Sequence, residues 1–412
     1  MLLALMDLLS KLLEKKPQDK NWLAIDVGAT NLRVLEFTLG EEEGTAQLVK
    51  MASCQTPSGA VVEEAILKMP EVTQALQGLL QKIERVDSHL PVIFGIAGEV
   101  CLATTTNGRV IRENPEEVLK IQELRDIQKR LEESAFVEAG RVIAESTGNP
   151  DLDLSLVESR ITTVKADDFW LANPLGYRGR ELELGLFTSF TPTSHWQCLQ
   201  SLAASLHLNL IQVASTLGAL TLGLTGEKSW ELNALLVDIG KDTTEVGLVF
   251  GGSIIATKVV DLGGGAFTYQ LCRDLNLPEE EAEKKKLDFS DGLLTGEEGE
   301  KIAASLQKPL TWWQDGLQLA LADFAGVKTF PDKIYLVGGG ALLPLISESL
   351  VALPWVKDLP FRSPPEVKIL EPLAFPKLKD PQQFLNTTDD LPVASIGFIG
   401  AKIFGVSFNG GN

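Results

Sequence analysis

The chain has 412 residues, of which 44% are hydrophobic and 23% are charged, a composition typical of a globular protein of about two or three domains. Its 56 acidic and 37 basic residues give a formal net charge of −19, which argues against nucleic acid as a partner because phosphate backbones require clustered lysine and arginine. No apolar run approaches the ~20 residues that span a bilayer. The four cysteines and three histidines are scattered, which argues against a disulfide scaffold, a zinc site or a Ser-His-Asp triad.

Residues 1–16, MLLALMDLLSKLLEKK, predict an amphipathic helix, since leucines and methionines fall on one broad face and most charged residues on the other. Such a face can enter the headgroup region of a membrane, with Lys11, Lys15 and Lys16 near lipid phosphates. The same face can instead dock on the protein's own surface or on a partner helix. We expect residues 1–16 to contact the membrane peripherally, and docking on the protein's own surface or on a partner helix is the alternative.

From Trp22 onward, strand patterns alternate with helical ones. The strand candidates are WLAIDVG, LRVLEFTLG, AQLVKMASCQT, PVIFGIAGEVCLATT (a strand pair or a bent strand), SRITTVKADDFW, RELELGLFTSF, ALLVDIG, TTEVGLVF, SIIATKVVD and KIYLVGG. Helical spacing covers 61–87, 113–147, 194–207, 212–223, 266–307, LLPLISESL and ASIGFIGAKIF. This alternation predicts an α/β protein, and wholly apolar strands such as ALLVDIG predict sheets covered on both faces.

The most informative feature is a two-fold echo between IDVGATNLRVLEF and VDIGKDTTEVGLVF. Each copy is a buried strand, an Asp-x-Gly turn that carries threonine, and a second strand. The first copy contains Asp26, Gly28, Ala29, Thr30 and Asn31, and the second contains Asp238, Gly240, Lys241, Asp242, Thr243, Thr244 and Glu245. An ordinary hairpin explains either copy alone, whereas two copies half a chain apart favour a shared function.

The chemistry of this pattern suits a polyphosphate. A glycine in a tight hairpin lets backbone N–H groups approach a phosphate, and a threonine hydroxyl adds a neutral donor. The carboxylates would hold Mg²⁺, which bridges to the phosphates, because a carboxylate and a phosphate repel each other directly. A third element, KIYLVGGGALLPLISESL, places Gly338, Gly339 and Gly340 at a strand end, where bare backbone allows a base or ribose to approach; a plain strand–helix turn is the alternative.

These three segments resemble the two phosphate motifs and the adenosine motif of the actin/hexokinase/heat-shock-chaperone superfamily, and within it the chain resembles the bacterial cell-division actin family FtsA. Further stretches carry the likeness to FtsA. They are FGIAGEV, the Asn173-Pro174-Leu175-Gly176 turn, DLGGGAFTYQLCRDL with Gly263, Gly264 and Thr268, and AEKKK with Ala282, Glu283 and Lys286. The likeness extends over roughly residues 20–405.

The resemblance implies two duplicated α/β domains around a nucleotide cleft. Domain IA would comprise residues 20–89, 190–228 and 386–412, and an inserted strand-helix-strand-strand domain IC of SHS2 type would comprise 90–189. Domain IIA would comprise 229–275 and 330–385, and IIB would comprise 276–329. ATP and Mg²⁺ would bind in the cleft, with Lys286 reaching the ribose or base side.

The resemblance also implies roles for single residues. Asp26 and Asp238 would hold the metal, and Asp238 and Glu99 are the catalytic candidates. Glu99 would orient the attacking water, although a solvated turn carboxylate explains it as well. Nucleotide contacts are expected from Gly28, Ala29, Thr30, Asn31, Gly240, Lys241, Thr243, Thr244, Gly264, Glu283, Lys286, Gly338, Gly339 and Gly340.

Some residues depart from the family pattern. Lys241 and Asp242 stand where glycine is usual, Glu245 stands for an aspartate, and Asn31 stands where lysine is frequent. These departures bear on hydrolysis more than on nucleotide binding, so slow or absent hydrolysis is expected.

The function implied is an ATP-binding actin-like protein that polymerises at the cytoplasmic face of the cell membrane and tethers an FtsZ-type division ring or other divisome proteins. One alternative is a pilus-assembly adaptor of the related PilM type. A second is a hexokinase-like sugar or acid kinase, which DVGATNLRV favours; no metal-binding Cys/His cluster accompanies it in the sequence.

Overall fold

The structure is a computed structural model that describes residues 21–405 apart from 43, 87–88, 172, 226–230 and 325. The amphipathic helix predicted over 1–16 therefore lies outside the described residues, as do residues 406–412. No described helix is both long enough and apolar enough to cross a bilayer.

Strands and helices alternate along the chain. The strands are β1 (Trp22–Val27), β2 (Asn31–Leu39), β3 (Ala46–Gln55), β4 (Val61–Val62), β5 (Ala65–Ile66), β6 (Pro91–Ile96), β7 (Leu102–Ile111), β8 (Leu154–Ala166), β9 (Phe169–Trp170), β10 (Glu181–Pro192), β11 (Asn209–Ser215), β12 (Ala234–Ile239), β13 (Thr244–Phe250), β14 (Ser253–Val260), β15 (Lys333–Val337), β16 (Glu366–Ile369) and β17 (Leu378–Lys379). The helices are α1 (Met69–Lys82), α2 (Ile121–Thr147), α3 (Thr193–Ser205), α4 (Thr216–Leu224), α5 (Gly264–Leu275), α6 (Glu279–Ser290), α7 (Gly296–Ala322), α8 (Pro344–Val351) and α9 (Leu391–Phe404).

The first lobe is built on a six-stranded sheet with the order β11-β6-β1-β2-β3-β17. Strands β1, β2 and β3 pair antiparallel, and β6 runs parallel to β1. Helix α9 packs against this sheet through Gly397 and Gly400, where a Cβ atom would collide with the rings of Phe37 and Trp22. The small residues of ASIGFIGAKIF therefore let the helix approach two fully buried aromatics, each of which stabilises the fold by ~2–3 kcal/mol on burial.

The second lobe repeats this arrangement in a nine-stranded sheet with the order β16-β15-β12-β13-β14-β7-β10-β8-β9. Strands β12, β13 and β14 pair antiparallel, and β15 runs parallel to β12, as β6 does to β1. Its core includes Phe267 of α5 and Trp313 of α7, both fully buried. The duplicated α/β fold that the resemblance implied is confirmed.

Between β6 and α3 lies a segment with its own helix and sheet. Strands β7, β10 and β8 pair antiparallel and α2 packs on them around Leu124, Ile127, Leu184 and Leu186. This part of the sheet joins the second lobe through the pair of Ala256 in β14 and Thr104 in β7. The assignment of residues 90–189 to an SHS2-type domain, like the other domain boundaries, stays a prediction.

Several predicted helices were too long. Residues 61–66 form the β4–β5 hairpin and α1 begins at Met69, while α2 begins at Ile121 rather than at 113. Residues 212–215 belong to β11, and helix α4 starts after Ser215, whose hydroxyl accepts the Gly218 N–H at 3.1 Å. The stretch 266–307 is divided among α5, α6 and α7. Short apolar runs do not distinguish strand from helix, and tertiary pairing with β6 decided β11.

Candidate functional site

The two Asp-x-Gly hairpins have the same backbone closure. In the turn between β1 and β2, the Gly28 N–H donates to the Asn31 carbonyl at 3.2 Å, and between β12 and β13 the Gly240 N–H donates to the Thr243 carbonyl at 3.0 Å. In both hairpins the aspartate is the penultimate residue of the first strand. The repeated sequence pattern therefore corresponds to two hairpins with the same backbone geometry.

The carboxylates of Asp26 and Asp238 interact across the two lobes. Burial raises the pKa of Asp238 to about 7, and the negative charge of Asp26 adds to the rise. Burial also raises the pKa of Asp26, against the opposing charge of Arg33. The charge of Asp26 thus acts on Asp238 across the two lobes, and the contacts of Arg33 and of the glycine turn, described next, border the same space.

Arg33 supplies the positive charge at this point. In the β1–β2 hairpin it stands directly opposite Asp26, and its Nη1 lies 3.3 Å from Asp26 Oδ2. Its Nε lies 3.6 Å from Asp390 Oδ1, and its Nη2 also pairs with Asp389 at the start of α9. The side chain is only 8% exposed. Sequence reasoning missed Arg33, although an arginine inside the apolar strand LRVLEF signals a buried partner.

The glycine turn after β15 lies against the second hairpin. Gly338 has φ +85°, and a Cβ atom there would collide with Asp238 and lie 2.6 Å from the Ile239 carbonyl. Gly340 packs on the Ile239 side chain. Gly339 faces Asp389, because a Cβ atom built on Gly339 would lie 3.4 Å from Asp389 Oδ1. The turn therefore requires glycine at 338 and joins the predicted site.

The N-terminus of α5 also docks on the second hairpin. The N–H groups of Gly264 and Gly265 donate to the carbonyls of Gly240 and Lys241, both at 2.8 Å. Any side chain at Gly263 would come within 2.5 Å of those two carbonyl oxygens. This contact orients the hairpin relative to the helix.

Lys286 and Glu283 of α6 complete this corner. Lys286 Nζ donates to the Gly264 carbonyl at 3.0 Å and to Thr268 Oγ1 at 2.8 Å, and lies 2.8 Å from Glu283 Oε2. Burial lowers the pKa of Lys286, while the Glu283 charge opposes this shift. Lys286 thus lies beside the glycine turn, since both it and Gly340 approach Gly264.

Two glutamates lie at or near the second hairpin: Glu245 belongs to β13, and Glu99 follows Gly98, which contacts Glu245. Glu245, opposite Asp238 in the β12–β13 pair, is 2% exposed, and its Oε2 accepts the Gly98 N–H at 3.3 Å. Its Oε1 has no hydrogen-bond partner among the described residues, and burial followed by the Asp238 charge raises its pKa to about 8. Glu99 is exposed; partial burial and then Asp261 raise its pKa.

The remaining predicted contacts differ in accessibility. Ala29 is partly buried, Thr30 is exposed, and Asn31 and Thr243 contribute the turn carbonyls already described. Lys241 points outward, with its Nζ 3.3 Å from Glu279 Oε1. Each of these residues belongs to a hairpin that borders the shared space.

Thr244 differs from the other predicted contacts. Its side chain is fully buried, and its hydroxyl donates to the Leu262 carbonyl at 2.7 Å and accepts the Trp313 Nε1–H at 2.9 Å. Thr244 is the first residue of β13 and faces the core of the second lobe. The structure therefore corrects the expectation that its hydroxyl is a phosphate donor.

The carboxylate oxygens of this site fit a magnesium ion that takes only some of its ligands from the protein. Among residues 21–405 that the structure describes, no three His, Cys, Asp or Glu side chains form a metal cluster. Burial raises the pKa of Asp26 and of Asp238, and Arg33 opposes both shifts; a dication would act in the same direction as Arg33. Mg²⁺ is ordinarily bound by one or two carboxylates plus substrate phosphates and water, and these two residues match that requirement.

Comparison with solved structures identifies the fold. The PilM–PilN type IV pilus biogenesis complex matches 93% of this chain and 99% of that chain with a TM-score of 0.65 at 17% identity. MreB5 of Spiroplasma citri bound to ADP matches 92% of this chain and 96% of that chain with a TM-score of 0.50 at 12% identity. The chain has the actin-like ATPase fold.

Sequence comparison relates this actin-like chain to FtsA. Cell division protein FtsA of Pseudomonas aeruginosa is 22% identical over 285 residues, 66% of this chain and 61% of that protein. FtsA of Helicobacter pylori strain 26695 is 24% identical over 157 residues, 38% of this chain and 32% of that protein. The chain thus spans less than two thirds of these relatives, and no protein-family model matches it.

Proposed function

We propose that this actin-like protein binds ATP together with Mg²⁺ between its two Asp-x-Gly hairpins. One observation carries the proposal: two hairpins from separate lobes, closed by the same glycine hydrogen bond, bring Asp26 and Asp238 into electrostatic contact. The glycine turn at Gly338–Gly340 borders the same space and offers bare backbone to the nucleoside. MreB5, which shares the fold, has been solved with ADP bound.

Each part of the site has a task in this proposal. The turns at Gly28 and Gly240 present backbone N–H groups to the phosphates. Asp26 and Asp238 hold the metal, which supplies the positive charge that joins carboxylates to phosphates. Lys286 approaches from α6 on the glycine-turn side, where it is positioned to reach the ribose or base.

We expect hydrolysis to be slow or absent. Asp238 and Glu99 are the candidate catalytic residues, and Glu99 would orient a water molecule. Buried Glu245 is a further acid at this end of the site. Slow turnover suits a switch between two assembly states better than it suits metabolism.

The wider role that we propose is a cytoskeletal adaptor of the FtsA type, supported by the sequence matches to FtsA. It would assemble into filaments at the cytoplasmic face of the membrane and link an FtsZ-type tubulin homologue or other divisome proteins to it. Residues 1–16 would provide the peripheral membrane contact through their apolar face.

A pilus-assembly adaptor of the PilM type is the second candidate. Its specific support is that the match with this chain covers 99% of the PilM structure, whereas the FtsA matches cover 61% or less of those proteins. In this role the chain would bind a segment of a membrane partner and would not polymerise.

Calorimetric titration of MgATP tests nucleotide binding. The variant Asp238→Ala should weaken Mg²⁺-dependent ATP affinity, because it removes one of the two carboxylates that fit the metal. Asp358→Ala, the same change at an exposed position, is the matched control and should leave affinity unchanged. Equal affinity for wild type and Asp238→Ala would contradict the proposed site.

Electron microscopy with ATP on lipid monolayers tests the wider role. Polymers that depend on residues 1–16 would support the FtsA type, and monomeric particles that still bind a pilus-type partner segment would support the PilM type. Liposome co-sedimentation unchanged by deletion of residues 1–16 would exclude that segment as the anchor. Efficient phosphoryl transfer to a sugar panel would instead favour a kinase.

A further inference from the structure

The β4–β5 hairpin has a strained tip made of two glutamates. The two residues between Val61–Val62 and Ala65–Ile66 are Glu63, with φ 48°, and Glu64, with φ 65°. Consecutive left-handed residues in a two-residue hairpin turn are usually asparagine and glycine, because a side chain with a Cβ atom is disfavoured there. Strain of this kind persists only where surrounding contacts maintain it, which directs attention to what the tip touches.

The tip contacts the second lobe. The backbone N–H of Glu63 donates to Asp242 Oδ2 at 3.1 Å, and Asp242 belongs to the β12–β13 turn. A Cβ atom built on Gly98, the residue that donates to Glu245, lies 3.5 Å from Glu64 Cγ. A hairpin of the first lobe thus reaches across to the second phosphate-type turn.

The Glu64 side chain lies among the acids of the proposed nucleotide site. Burial raises its pKa well above the usual range, and the charges of Asp26, Asp238, Asp242 and Glu245 raise it further. A Cβ atom built on Gly98 would lie 3.5 Å from Glu64 Cγ and 3.2 Å from Thr243 Oγ1, so the Glu64 side chain borders the second hairpin. Terminal phosphate oxygens of a bound nucleotide would have to enter the same space.

We propose that Glu64 is an internal competitor of the terminal phosphates, held beside the second Asp-x-Gly hairpin by the strained tip of β4–β5. This inference rests on the proposed nucleotide site and adds a selectivity to it. A nucleoside triphosphate must displace the Glu64 side chain, whereas a nucleoside monophosphate that uses only the glycine turn and Lys286 does not. The hairpin thus lowers affinity for triphosphate selectively and moves when triphosphate binds.

The test is calorimetry of the full chain with MgATP and with AMP. Glu64→Ala removes the side chain from this space, and Glu63→Ala is the matched control at the neighbouring exposed position. Removing the group that occupies the space should tighten MgATP binding about tenfold, because the terminal phosphates then no longer have to displace it. AMP affinity should stay the same in all three proteins.

A second variant keeps the proposal testable if the first variant misfolds. Replacing Glu63 by asparagine and Glu64 by glycine satisfies both left-handed positions and also removes the carboxylate, so it should fold at least as well as wild type and bind MgATP more tightly. Unchanged MgATP affinity in both variants would overturn the proposal while leaving the nucleotide site intact. Weaker MgATP binding would also overturn it, because Glu64 would then be a metal ligand. No nucleotide binding by any protein would refute the proposed function itself.

Discussion

Replacement of Arg33 by methionine tests whether the charges of the site are balanced as the structure indicates. The Arg33 side chain pairs with Asp26, Asp390 and Asp389, and it is 8% exposed while those partners are 18%, 12% and 30% exposed. Methionine retains most of the apolar stem, so packing around β2 is largely preserved. The substitution therefore leaves three partly buried carboxylates without their shared cation.

The magnitude follows from how deeply these charges are buried. Removing one partner of a buried ion pair costs roughly 3–5 kcal/mol, because the remaining charge is left uncompensated. Asp389 is exposed enough to be solvated, which places the expected loss for Arg33→Met at the lower end, about 3 kcal/mol. Burial raises the pKa of Asp26, so this carboxyl group can take up a proton, and the loss should be smaller at pH 5 than at pH 8.

Urea unfolding at pH 8 without metal measures this loss as a change in the free energy of unfolding. The matched control is Lys301→Met, which removes an exposed pair with Glu297 on α7 and should cost less than about 1 kcal/mol. Added Mg²⁺ should recover part of the Arg33→Met loss, since a dication can replace the missing charge. A loss below about 1 kcal/mol for Arg33→Met would refute the idea that this arginine neutralises the site.

Two further variants separate core contacts from the site and define a pH dependence. Thr244→Val should destabilise the protein by ~1–3 kcal/mol by leaving the Trp313 Nε1–H and the Leu262 carbonyl unpaired, while MgATP affinity by calorimetry stays the same; weaker MgATP binding at unchanged stability would contradict this. Burial, followed by the charge of Arg160, lowers the pKa of Lys402 from 10.5 to about 7, so the unfolded chain binds more protons between these values and stability should rise with pH across that window. Lys402→Met should flatten this rise when the free energy of unfolding in urea is measured from about pH 7 to pH 10. The same slope against pH in both proteins would show that Lys402 does not cause the rise.

The sequence alone led to the site because its signals are local. The strand–Asp-x-Gly–strand pattern determines a hairpin with an acid before a tight turn, and the structure contains that hairpin twice with the same hydrogen bond. The resemblance that this pattern carries also implied a duplicated fold, and the two sheets have corresponding strand orders. Gly338 to Gly340 were recognisable as three consecutive glycines after an apolar strand; the structure adds that Gly338 has a positive φ and that Gly340 packs closely on Ile239.

The sequence alone did not show which distant segments contact each other. That residues 212–215 belong to strand β11 was decided by pairing with β6, because so short a segment suits either a strand or the first turn of the following helix. The direction of the Thr244 hydroxyl depended on Trp313, 69 residues away. Local patterns specify backbone geometry, whereas side-chain partners depend on which distant segments the tertiary fold brings together.

The same division holds for the charges of the site. Composition determined that the protein is strongly acidic, and the motif determined where two of the acids stand. Only the tertiary structure placed Glu64 among them and joined Arg33 to Asp389, 356 residues later in the chain. Ionisation and ion pairing depend on distance in space and on burial, and neither quantity is a property of a local stretch of sequence.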